Sequence, residues 1–280
     1  MKSEPINNEL QSTLRVMKLV SPYFLSKYTN GSPLDVQKRQ INGVWHIVER
    51  FNHGLAHGLR QGALAKDIVD LLAQTRIESG NPDINGFLNW VAQQQAEGPS
   101  FLAKLEMAAS FQRTGRQKEF PSSANPELYK QYELQDAVNF KKAAILSKTF
   151  KNNSEIELFK EAILWSNRGV LNENDHPDLK YLRCIIHAAH TLDLRRIPVF
   201  NEAKIKKDAL DQLFNGKADC LPSALLKKLT DQLWKRSGQY LKATGDRDLI
   251  GGRKLSDAFF IQTKNPMLMV EAIHQIRSEK

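Results

Sequence analysis

An all-α fold follows from three features of the sequence: apolar residues recur three and four apart along most of its length, strand-like alternation is nearly absent, and clusters of Gly, Pro, Asn and Ser cut the periodic runs into helix-sized pieces. The spacing predicts helices over 36–54, 65–79, 84–95, 101–111, 136–147, 155–166, 179–192, 206–214, 223–237 and 266–277. Turn chemistry separates them at 29–33, 79–83, 98–100, 121–126 and the Gly251-Gly252 pair. Ser100 and Ser154, each just ahead of an apolar run, are expected as N-caps, and Asp83 likewise after Pro82. The stretch 244–254 is expected to be a linker loop, with a phosphate-contacting loop as the alternative.

With 280 residues, 41% of them hydrophobic and 25% charged, the chain can bury a sizeable core, so a single globular multi-helix domain is expected. No window approaches the roughly 18 apolar residues of a membrane-spanning helix. The polar, acidic start MKSEPINNELQSTLR does not read as a secretory signal, so the expectation is a soluble protein exported, if at all, without a classical leader. Cys184 and Cys220 are too few for a disulfide framework or an all-cysteine zinc site and are read as packed thiols in a reducing compartment.

The formal charge of +9 favours phosphates, nucleic acid or acidic surfaces without choosing among them. Much of the excess sits in Lys204, Lys206, Lys207, Lys227, Lys228, Lys235 and Arg236, interleaved with apolar residues at helical spacing. That pattern reads as a solvated helical face, and no nucleic-acid partner is expected. No linker precedes Lys204, so residues 1–203 are read as a catalytic core and 204–280 as a helical C-terminal extension packed on it as a lid.

Five of the seven histidines fall in two short segments. At about 100° per residue of helix, His46, Glu49, His53, His57 and Arg60 project within about a quarter of the circumference. Gly54 and Gly58 beside them cost about 1 kcal/mol each against alanine and point to close approach of a backbone or ligand. In the second segment His187 and His190 share a helical face with Arg183, and Pro198 ends the helix so that Arg195 and Arg196 sit near its C-terminus. Neighbouring imidazoles can divide the roles of base or nucleophile and acid near neutral pH, and guanidinium groups hold phosphate oxygens. A metal site is the competitor, since His53 and His57 have the i, i+4 spacing. However, His-Gly-Leu-Ala-His lacks the glutamate of the H-E-x-x-H motif, and no His-Asp pair of a binuclear phosphohydrolase is present.

Three blocks in order, 52–60 (NHGLAHGLR), 113–119 (RTGRQKE) and 187–196 (HAAHTLDLRR), resemble the phosphodiesterase domain of the SidE effectors of intracellular bacterial pathogens. The resemblance spans residues 40–200 and includes no ADP-ribosyltransferase region, as for a free-standing or excised domain. It implies an all-α, metal-independent enzyme without cofactor that cleaves the pyrophosphate of ADP-ribosylated ubiquitin. AMP is released and phosphoribosyl-ubiquitin passes to a serine of a host protein or to water; free-standing relatives act as deubiquitinases. By block, the nucleophile falls on His53 or His57, an orienting carboxylate on Glu119, and the acid on His187 or His190. Asn52, Arg60, Arg113, Arg116, Arg195 and Arg196 are the expected substrate and phosphate contacts. The implied partners are ubiquitin, its ADP-ribosylated form and modified host proteins, met by a secreted effector in the host cytoplasm. Two other classes compete: a metal-dependent helical phosphohydrolase, and an inactive module that binds nucleotide or ubiquitin.

Overall fold

The computed structural model describes residues 4–28, 36–41, 44–49, 55–75, 79–115, 126–164, 177–196, 201–244 and 266–279. Helices form where apolar side chains recur at helical spacing, and ten α-helices lie among these residues. In chain order they are α1 (Glu4–Tyr28), α2 (Leu55–Gln74), α3 (Pro82–Ala96), α4 (Pro99–Phe111), α5 (Pro126–Ser147), α6 (Asn153–Ala162), α7 (Pro177–Asp193), α8 (Glu202–Leu213), α9 (Ser223–Ala243) and α10 (Pro266–Ser278). A 3-10 turn, Leu194–Arg196, extends α7, and another, Ala218–Cys220, lies between α8 and α9. The body of the protein is all-α, as expected, and none of its described helices is long and apolar enough to cross a membrane.

Two segments depart from the expected elements. The chain start, read only as polar, forms α1, which lays Leu14, Met17 and Val20 into the core against α4. The expected helix over 36–54 is overturned. Strands β1 (Val36–Ile41) and β2 (Val44–Glu49) pair antiparallel there, with Ile41 opposite Val44, Arg39 opposite His46 and Val36 opposite Glu49. The sequence carries the reason: Asn-Gly is the strongest short hairpin signal, and Asn42-Gly43 stands directly before a run, VWHIVE, rich in β-branched residues. His46 and Glu49 are therefore strand residues and share no helical stripe with His57 and Arg60.

The expected caps also shift. Asn81, not Asp83, caps α3, its side chain accepting from the Asp83 and Ile84 amides with Pro82 in the first turn. Gly98 precedes α4 without a side-chain cap, which puts Ser100 inside the helix. Asn152, not Ser154, caps α6 by accepting from the Glu155 amide. In each case a residue upstream already had the extended or left-handed backbone that an N-cap position requires. The expected linker 244–254 begins at Thr244, the last described residue of its segment.

Helix α2 is central, packed by α4, α7, α3, α9, α1 and α10. Its approach to α4 depends on Gly62, where an added Cβ would lie 2.5 Å from Ser110 Oγ and 3.0 Å from both Glu106 Cγ and the Glu106 carbonyl oxygen. Gly62→Ala gains helix propensity yet is expected to lower stability by about 1 to 3 kcal/mol through overpacking, read by urea denaturation. A gain in stability would show that the two helices can part at no cost. The core continues through edge-to-face aromatic contacts linking Tyr23, Phe111, Phe140, Phe150 and Phe159.

Candidate active site

A helix enclosed on all sides is expected to be apolar, but α2 carries His57, Arg60, Gln61, Lys66 and Asp67 among its buried residues. Burying such groups is tolerable only when each is paired, so their partners define the polar heart of the protein. They fall into two clusters, one around Arg60 and one around Asp67.

The first cluster centres on Asp193, the last residue of α7, which is fully buried. Arg60 donates to both carboxylate oxygens, from Nε to Oδ1 at 2.7 Å and from Nη2 to Oδ2 at 3.2 Å. His57 Nδ1 lies 2.6 Å from Oδ2. Arg196, on the 3-10 turn after α7, donates from Nη1 to Oδ2 at 3.1 Å and to the Asp193 carbonyl at 2.8 Å. Arg60 Nη1 reaches Thr244 Oγ1, at the end of α9, at 2.9 Å. Spacing explains the convergence: His57 and Arg60 are one turn apart on α2, so a single carboxylate meets both.

Burial alone would raise the Asp193 carboxyl, but Arg60, the hydrogen bond to His57 and Arg196 together hold it below the usual carboxylate range. For His57 burial dominates in the other direction. Together with Arg196, and against the attraction of Asp193, it pushes the imidazole down to about 3, so the ring is neutral at pH 7.

His190 packs edge to face on His57, with ring centroids 5.3 Å apart and planes at 71°. The Gln61 side-chain amide lies 2.5 Å from its Nδ1 and donates to Gln112 Oε1 at 3.1 Å. Arg113 Nη2 lies 3.4 Å from His190 Nε2. Arg113 follows α4 with φ of 75°, a left-handed conformation that an arginine rarely adopts and that surrounding contacts must sustain. A neutral imidazole, a second imidazole against it and guanidinium groups around them suit an anionic phosphoryl substrate, whose spread charge the cations stabilise.

Of the residues expected from sequence, the structure brings His57, His190, Arg60, Arg113 and Arg196 together. His187 lies one turn before His190 on α7, also buried. Arg195 is not brought to the cluster. It stacks on Trp234 of α9 with its guanidinium carbon 4.3 Å from the ring and donates to the Trp234 carbonyl, passing so close to Gly238 that an added Cβ would lie 2.9 Å from it. Asn52, His53, Arg116 and Glu119 lie outside the described residues. Asp193, Gln61, Gln112 and Thr244 were not foreseen. Asp193 had a signal, three residues after His190 and three before Arg196, whereas nothing local marks the other three. Among the described residues no three His, Cys, Asp or Glu side chains are grouped as metal ligands.

The second cluster joins α2 to the chain ends. Lys66 donates to Glu106 of α4 at 2.9 Å and pairs with Glu9 of α1 at 3.2 Å. Asp67 accepts from Tyr240 of α9 and Arg277 of α10. Arg277 also reaches Glu9 and Asp70, at 2.8 and 2.9 Å.

Compared with protein families, residues 10–250 match the SidE phosphodiesterase (PDE) domain. No curated protein matches the chain.

Proposed function

Because this chain belongs to the SidE phosphodiesterase (PDE) domain family, we propose that it cleaves the pyrophosphate of ADP-ribosylated ubiquitin through a histidine nucleophile and a histidine general acid. AMP is released, and phosphoribosyl-ubiquitin passes to a serine of a host protein or to water. Phosphodiester chemistry is the family's own; the ubiquitin-linked substrate and the roles of individual residues are our reading. One observation carries it: His57 and His190, from helices far apart in sequence, pack edge to face within reach of Arg60, Arg113 and Arg196.

In the first step a lone pair of His57, or of His53 four residues before it, forms a P–N bond to the ribose-side phosphorus, and the bond from that phosphorus to the bridging oxygen breaks. The acid, His190 or its neighbour His187, gives its proton to the departing oxygen, and AMP leaves. In the second step a serine or water oxygen forms a P–O bond, its proton returns to the acid histidine, and the P–N bond breaks. Run on a phosphoribosyl-serine linkage, with serine as the leaving group and water as acceptor, the same steps remove the modification.

Arg113, Arg116 and Arg196 would hold phosphoryl oxygens, with Asn52 beside the nucleophile, while Arg60 supports the site from behind through Asp193 and Thr244. Arg195, turned onto Trp234, is the weakest member of the expected set. Glu119 is kept as the carboxylate that orients a histidine. A secreted effector acting on ubiquitin and modified host proteins in the host cytoplasm fits this chemistry. The division into a core of 1–203 and a packed extension of 204–280 is kept as part of the proposal. It is supported by α8 lying on α7 and by α9 lying on α2, and limited proteolysis giving a stable fragment that ends near residue 203 would overturn it.

The test is AMP release from ADP-ribosylated ubiquitin by the purified protein, with and without chelator. Chelator-resistant release is expected. Chelator-sensitive release would point instead to a metal-dependent phosphohydrolase, and no release in either condition would strike out the substrate.

A further inference from the structure

Asp193 collects three donors from two sides while being fully buried, and only one of those donors is a histidine. Two guanidinium groups keep the carboxylate ionised, and an ionised carboxylate has no hydrogen to give. The 2.6 Å contact with His57 therefore needs a hydrogen on Nδ1. Since the ring is neutral near pH 7, its lone pair must reside on Nε2. From this geometry, and resting on the phosphodiesterase reading above, we propose that Asp193 is a positioning residue acting through His57. It locks the imidazole in the Nδ1–H tautomer and in one orientation, which turns the Nε2 lone pair to the side of the ring away from Asp193.

The two arginines serve this arrangement. Arg60 engages both oxygens of Asp193 and is held at its other end by Thr244, so the carboxylate cannot rotate away from His57. Arg196 adds a second cation to Oδ2, the oxygen that faces the imidazole. Opposed by two positive charges, Asp193 does not take the His57 proton, and the pair stays neutral imidazole with carboxylate. A carboxylate placed only to neutralise Arg60 and Arg196 would not need the imidazole on the same oxygen, and that difference is measurable.

The test is nitrogen NMR of the His57 ring in the full-length protein at pH 7, assigned with His57→Gln, alongside Asp193→Asn and Asp193→Glu. The expected wild-type spectrum shows a protonated, pyrrole-type Nδ1 and a pyridine-type Nε2. An Nε2–H tautomer or a doubly protonated ring would overturn the proposal without recourse to any variant, so it remains testable should Asp193→Asn not fold. In folded Asp193→Asn the tautomers are expected to mix. Its kcat for AMP release should fall about 10²- to 10⁴-fold with KM little changed, as when a carboxylate–imidazole pair is made an amide in other hydrolases. Asp193→Glu should recover part of the rate. An unchanged tautomer in Asp193→Asn would reduce Asp193 to a counter-ion and sink the idea. Failure of the substrate reading looks different: the wild-type tautomer appears and mixes in the variant, yet no AMP is released.

Discussion

Replacing His190 with alanine is expected to lower kcat for AMP release by about 10²- to 10⁴-fold while the protein stays folded, because a general acid contributes on that scale. Its ring is removed from a pocket where Gln61 already has a second partner in Gln112, so the loss of packing is modest beside the loss of rate. The companion variants assign the roles. If His57 is the nucleophile, His57→Ala should remove release altogether and His53→Ala should not. If His53 is, both fall, His57 then acting as its neutral neighbour. A His190→Ala enzyme with wild-type kcat would move the acid to His187 and end the pairing of His57 with His190 as the reacting couple. Thermal melts of each variant separate a lost proton donor from a damaged fold.

The largest stability effect is expected at Arg277, far from the chemistry. Its guanidinium is buried and its donors are spread over Asp67, Asp70, Glu9 and the Ala63 carbonyl. Burial opposes its charge, but Asp67, Tyr240, Glu9 and Asp70 hold it protonated well above the ordinary arginine value. Arg277→Met should cost about 3 to 5 kcal/mol in urea denaturation, since it strands the buried Asp67 carboxylate with Tyr240 alone. The double variant Asp67→Leu/Arg277→Met should recover much of that loss, since both charges then leave together. A single variant near wild-type stability would show that α10 is not held to α2 by this network.

Acid should weaken the fold through groups whose protonation is suppressed in the native state. His57 is lowered from 6.5 to about 3, first by burial, so the unfolded chain binds the extra proton between those values and stability falls as pH drops from 6.5 toward 3. Asp193 and Glu9 are also lowered. Their stabilisation is present above the ordinary carboxylate range and is lost as pH falls through it, Glu9 down to about 2. Asn at position 193 should flatten the carboxylate part of that profile, which a urea series across pH would read.

Much of the fold was legible because helical periodicity is local. The runs that became α3, α4, α7, α8 and α9 each carry their apolar stripe within one short stretch of sequence. The hairpin does not stand out by periodicity because Ile41, Val44 and Val48 also fit a helical stripe, and the Asn42-Gly43 pair is the local signal that distinguishes the two. The α1 helix carries Leu14, Met17 and Val20 at helical spacing behind a polar, acidic start, and α4 and its neighbours supply the surface that makes them a core.

The sequence by itself determined the helical class, the paired histidines one turn apart on α7, the arginines near them and the resemblance to the family whose domain matches residues 10–250. Only the tertiary structure decided which charges meet. Asp193 joins His57 across 136 residues and Arg60 across 133, and Thr244 reaches Arg60 across 184. No local spacing encodes contacts between elements so far apart. Packing α9 and α7 against α2 forces its buried polar groups to find those partners, because an unpaired charge in that interior would cost more than the helices gain by closing.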